Sequence, residues 1–181
     1  EALFNSTGDT VPLTDFGMIH DALLLLSLFA ADQDSNEICR LLQSPFIMPQ
    51  AQETESLLHA QATMRRNFSS RCSAAEISEI LENTKFSSAS PQFAHSLLKS
   101  KTRLRSMPRE ATPRQWSQFF TKTLEQFQWP GLHQCEDEKK LLTMWQDGLT
   151  LFAESSASLG RLNHRGALKK LRSLIPQLSP M

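Results

Sequence analysis

Between Thr112 and Ala157 the chain carries two amphipathic helical patterns that meet at Trp129-Pro130-Gly131. The first opens on Thr112-Pro113-Arg114-Gln115: a cap, a proline at the first helical position and a glutamine at the third. It carries Trp116, Phe119, Phe120, Leu124 and Phe127 at spacings of three and four, the period that puts side chains on one helical face. The Trp-Pro-Gly corner stops it. The second pattern runs from Glu136 to about Ala157, with Leu141, Leu142, Trp145, Leu149 and Phe152 in one stripe. Its acidic opening, Glu136-Asp137-Glu138, complements the positive end of a helix.

Similar punctuation recurs upstream. Thr14 can cap a helix running to about Ala31, and Asp34 with Glu37 starts a short one that ends at Ser44-Pro45. Ser73 with Glu76 forms a capping box ahead of Ile77, Ile80 and Leu81. Ser90-Pro91 opens a helix through Phe93, Leu97, Leu98 and Leu104, and Asn163 caps a last one through Leu168, Leu171 and Ile175, closed by Pro176. A further helix is expected over Gln50–Arg66. The tract Ala2–Asp9 reads either as one edge strand or as a tail. No segment alternates as a strand should, glycine is scarce (6) and β-branched runs are few. These signs predict an all-α chain of about eight helices, and its 181 residues fit one compact domain.

The three cysteines, Cys39, Cys72 and Cys135, are odd in number and unclustered, which suits a reducing cytoplasm better than a disulfide framework. The apolar run Ala22–Ala31 is too short to span a bilayer, which needs about 20 residues, and it reads as a buried helix. No membrane association is expected. The first residue is Glu and not Met, so the chain reads as a piece of something longer or as one with a processed terminus.

A formal net charge of zero hides an asymmetry. Residues 1–64 carry nine acids and one base, residues 65–122 eleven bases and four acids, and residues 123–181 seven bases and six acids. Lys99, Lys101, Arg103, Arg105, Arg109 and Arg114 fall within sixteen residues whose only acid is Glu110. Such a tract can bind phosphates, pair with the chain's own acidic third, or simply face water. Arg103 and Arg105 also stand near a helix C-terminus, where cations are favourable in any case. As a functional site, Lys99, Lys101, Arg103, Arg105 and Arg109 would contact nucleic-acid backbone without reading sequence. Arg65, Arg66 and Arg71 form a second basic cluster, and Lys169, Lys170 and Arg172 a third. The three tryptophans could stack on bases, but their places on apolar stripes point to core packing.

Nothing in the sequence announces a reaction. There is no phosphate-binding glycine loop and no Gly-x-Ser-x-Gly elbow. Glu138-Lys139-Lys140 matches the Glu-x-Lys half of a metal-dependent nuclease motif, yet that motif needs a strand and a second acid, and this tripeptide lies in a helix start. His133-x-Cys135 lacks a second pair at zinc spacing, and His20, His59, His95 and His164 are isolated. Neither a metal nor a cofactor is expected in this fragment, nor catalysis by it.

One resemblance gathers these features. Pro12-Leu13, the Leu-rich helix Ala22–Leu28 and Leu41-Leu42-Gln43-Ser44-Pro45-Phe46 come first. Then follow Trp116-Ser117-Gln118-Phe119-Phe120, Trp129-Pro130-Gly131, Trp145 with Leu149 and Phe152, and Ala167-Leu168 with Leu171 after Gly160. In this order they resemble the middle region of the bacterial "probable DNA repair protein" family, relatives of the AddB subunit of helicase-nucleases. Gln128 departs from the pattern, standing where relatives often have Gly, and an aromatic often found after the helix start at Glu138–Lys140 is missing. The family is helicase-like in front and carries a PD-(D/E)xK nuclease domain near its C-terminus. The resemblance implies a nuclease-associated, cytoplasmic helical domain without catalytic residues of its own, which guides DNA or braces the assembly. Implied partners are single-stranded or tailed duplex DNA, other domains of the parent protein, and a helicase-nuclease partner subunit. A protein-docking module without DNA contact is the alternative.

Overall fold

The computed structural model describes residues 13–48, 61–66, 70–82, 91–131 and 135–175. After a short 3-10 turn (Leu13–Asp15) come α1 (Gly17–Ser27), β1 (Gln33–Asp34) and α2 (Ser35–Leu41). Residues 61–66 are helical. Then follow β2 (Arg71–Cys72), α3 (Ala74–Glu82), α4 (Pro91–Ser106), α5 (Pro113–Gln126), α6 (Glu136–Glu154), α7 (Ser156–Leu159) and α8 (His164–Leu174). The all-α class predicted from the sequence is what the chain adopts. Its only strands among the described residues are β1 and β2, two residues each, paired antiparallel with Gln33 opposite Cys72. The tract Ala2–Asp9, read as edge strand or tail, and the first part of the Gln50–Arg66 helix lie outside the described residues, as do the Ser90 cap and Pro176.

Most helix starts follow the local cap chemistry. Thr112 accepts from Gln115 N while Gln115 Oε1 accepts from Thr112 N, a closed capping box with Pro113 at the first position. Ser73 and Glu76 reciprocate in the same way at α3. Asp34 Oδ1 accepts from Asn36 N at 2.8 Å, and Asn163 Oδ1 from Gly166 N at 2.8 Å. The start of α1 differs from expectation. Phe16, not Thr14, is its N-cap residue, and Thr14 Oγ1 donates to Asp15 Oδ1 instead. Leu13 is buried by the preceding turn, and burying a leucine outweighs a cap contact of about 1 kcal/mol. The far end stops early as well, at Ser27, whose hydroxyl donates to Leu24 O. α6 ends at Glu154, before the expected Ala157, and Gly160 (φ 65°, ψ −142°) terminates the short α7.

α1 is the hub. Met18, Ile19 and every residue from Asp21 to Ser27 are buried, as an all-round apolar helix requires. It packs on α2, α5, α6 and α8, while α5 and α6 lie against each other along their aromatic faces. Trp116 stacks on His164 (5.0 Å, 9°) and on Phe120, and Phe120 stacks on Phe152. Trp129 meets Trp145 edge-on at 5.5 Å. Two of the three tryptophan N–H groups are shown bonded within the fold: Trp116 Nε1 donates to Leu162 O (2.7 Å), and Trp129 Nε1 to Met18 O (3.0 Å). Trp116 and Trp145 are therefore core, and Trp129 is half-buried against it. An isolated bridge between Ala111 and Leu162 ties the start of α5 to the start of α8.

Candidate nucleic-acid interface

α4 carries four of the five predicted backbone-contacting residues, and helical geometry divides them. Successive residues turn by about 100°, so Lys99 and Arg103 share one side while Lys101 and Arg105 share another, about 200° away. Between them runs the buried stripe of Phe93, Ala94, Ser96, Leu97 and Ser100 that packs on α3 and α5. The tract is thus not one basic face. It is a pair of basic margins on either side of the packed face, an outcome the spacing alone contains.

The margins differ in exposure. Lys99 and Arg105 are exposed, whereas Lys101 and Arg103 are half-buried. Arg103 Nη1 is buried and has no hydrogen-bond partner among the described residues. Between Lys99 and Arg105, on the outward arc, stand His95, Thr102 and Leu98, the last 52% exposed. Arg109 follows in the exposed turn before Ala111, beside Glu110. Among the described residues, no carboxylate lies within ion-pair distance of Lys99, Lys101, Arg103, Arg105 or Arg109.

The other basic groups are more committed. Arg40, the one base of the acidic third, lies 3.1 Å from buried Asp21 Oδ1, without hydrogen-bond alignment, and 3.2 Å from Glu37. Arg71 donates to Asp32 O and so braces the β1–β2 pair. Burial pushes the Cys39 thiol up while Arg65 opposes it; burial pushes Cys72 further, to about 11, helped by Glu76. Both thiols are thereby kept protonated and unreactive at neutral pH.

Glu138-Lys139-Lys140 lies in the first turn of α6, where each member is engaged. Glu138 Oε2 accepts from Cys135 N at 2.8 Å, Lys139 Nζ meets Glu136 Oε1 at 2.6 Å, and Lys140 meets Asp137 at 3.4 Å. The Glu136 carboxyl is held below its usual range by that lysine, and Lys139 is raised in return. Among the described residues, no three His, Cys, Asp or Glu side chains gather as a metal site would need, and no helix is long and apolar enough to cross a membrane.

A feature the sequence reading missed is His164. It is buried, neither ring nitrogen has a hydrogen-bond partner among the described residues, and it is sandwiched among Trp116, Phe119 and Phe120. Burial drops its pKa to about 4; the Phe29 backbone pulls the other way but stands outside hydrogen-bonding geometry. Its position one residue after the Asn163 cap, at i−3 from Ala167, was the available signal of an inward face.

No protein-family model, curated protein or solved structure matches this chain.

Proposed function

We propose that this is a non-catalytic helical accessory domain of an AddB-like DNA-repair helicase-nuclease, engaging DNA backbone along α4. The observation that carries the reading is the set of five cations from Lys99 to Arg109 without a carboxylate partner among the described residues. A tract that served its own chain's acids would show ion pairs, as Arg40 does. Lys99 and Arg105, exposed at the margins of the outward arc, are the primary phosphate contacts, and Arg109 extends the track. Contacts of this kind position a strand without reading its bases, and they release counterions. The resemblance to the AddB-like family supports DNA as the polyanion and a cytoplasmic setting; other domains of the parent and a partner subunit would complete the path. The domain itself carries no reaction and needs no cofactor in this reading.

Exposed Leu98, lying on the outward arc among the cations, favours a second reading: α4 docks an acidic protein surface without DNA contact. One experiment separates the two. Binding of fluorescein-labelled single-stranded and tailed duplex DNA is followed by anisotropy across a salt series, for the chain and for its Lys99→Glu/Arg105→Glu variant. Arg103 is left alone because its half-buried guanidinium makes reversal a folding perturbation. Backbone binding predicts a log–log salt slope that falls by roughly 1.4–1.8 when two contacts are lost. An unchanged slope and affinity overturn the DNA assignment and leave docking.

A further inference from the structure

Ser27 at the end of α1, the segment that follows it and one side of α8 line an open hollow of about 260 Å³. Arg165, Lys169 and Arg172 line it, at spacings of four and three that put all three on one side of the helix. Leu168 and Ala30 give it an apolar wall. All three cations are exposed, and among the described residues no carboxylate lies within ion-pair distance of any of them. Asp32, next in sequence to residues of the hollow, does not line it.

Two details set this hollow apart from an ordinary solvated helix face. Arg165 stands in the first turn of α8, against the positive helix end, where a cation is unfavourable and an acid would be the stabilising choice. The second detail is the treatment of the α1 carbonyl end, which would otherwise present partial negative charge to the hollow. Gln33 Nε2 donates to Ser27 O (3.1 Å) and to Ala31 O (2.7 Å), so these acceptors are already occupied. The cations are left as the dominant field.

We propose that this hollow is an anion site that takes a phosphate group bearing two or more negative charges, a phosphomonoester or a pyrophosphate. A backbone phosphodiester carries one charge; three cations lining one hollow match a more highly charged group better, and the Arg guanidiniums suit its pairs of oxygens. The group can come from a small phosphorylated molecule or from the terminal phosphate of a polynucleotide. The site stands apart from α4 and does not depend on the reading of that helix.

The test is calorimetric titration of the chain with pyrophosphate at fixed ionic strength, set against Lys169→Gln/Arg172→Gln and a control, Lys139→Gln/Lys140→Gln, that removes the same charge elsewhere. Saturable binding to the parent chain is expected, at least tenfold weaker in the first variant and unaltered in the control. Absence of saturable binding, or equal losses in both variants, overturns the site. Short oligonucleotides with and without a 5′-phosphate then identify the source. Tighter binding of the phosphorylated strand, abolished by the first variant, assigns a polynucleotide end. Equal binding of both strands, with pyrophosphate binding retained, assigns a small phosphorylated molecule.

Discussion

His164 makes the stability of this domain acid-sensitive by an amount that can be worked out in advance. In the folded chain its imidazole is neutral down to about pH 4, because burial among Trp116, Phe119 and Phe120 disfavours the charged ring. In the unfolded chain it titrates near 6.5. Below pH 6.5 the unfolded state therefore binds a proton that the folded state does not, and stability falls as the pH falls. The loss accumulates down to about pH 4 and then levels off, because both states are protonated below that. A difference of about 2.5 pH units corresponds to about 3 kcal/mol, a large part of the 5–15 kcal/mol that holds a typical domain together. Urea unfolding at pH 7, 6, 5 and 4, run on the chain and on His164→Phe, isolates the term. Phenylalanine keeps an aromatic ring on Trp116 and cannot titrate, and every other ionisable group is common to both proteins. The two stability curves should diverge by about 3 kcal/mol between pH 6.5 and 4. Parallel curves would refute the account and place the ring in contact with water.

The remaining expectations concern the helix framework. Thr112→Ala should cost about 1 kcal/mol in urea unfolding by opening the capping box of α5. Trp116→Phe should cost roughly 1–3 kcal/mol, from the lost indole bond, since Leu162 O keeps only the Ala111 amide, together with the space the smaller ring leaves in the core. Gly160→Ala should cost roughly 1–3 kcal/mol, readable as a lowered Tm. No atom crowds the added methyl, so the whole effect would come from the backbone angles.

How much of this was legible follows the range of each interaction. The caps at Asp34, Ser73, Thr112 and Asn163 close within three residues, so the sequence displays them whole, and the structure keeps them. The aromatic stripe of α5 was equally visible because a helix repeats its own face. What escaped depends on distant segments. The two-residue pair of Gln33 with Cys72 joins residues with no local strand pattern, and α1 begins where Leu13 finds a core that other helices supply. His164 seemed isolated because its partners lie some 45 positions upstream. The basic tract was legible as composition and misleading as a surface: counting along the chain joins Lys99 and Lys101, while the helix sets them on opposite margins.

The bridge between Ala111 and Leu162 has a consequence for the order in which the domain comes apart. Its two amide bonds, 3.0 and 2.9 Å, and the Trp116 indole bond to the same Leu162 carbonyl fasten the entrances of two helices whose chain paths are separated by all of α5 and α6. Neither entrance can fray alone, because loosening one strips acceptors and donors from the other. The amide protons of Ala111 and Leu162, although they sit in connecting segments, should therefore exchange with solvent as slowly as those at the centre of α6, through global opening only. Connecting segments are ordinarily the first parts of a helical domain to open; here one such pair acts as a latch on the whole C-terminal half.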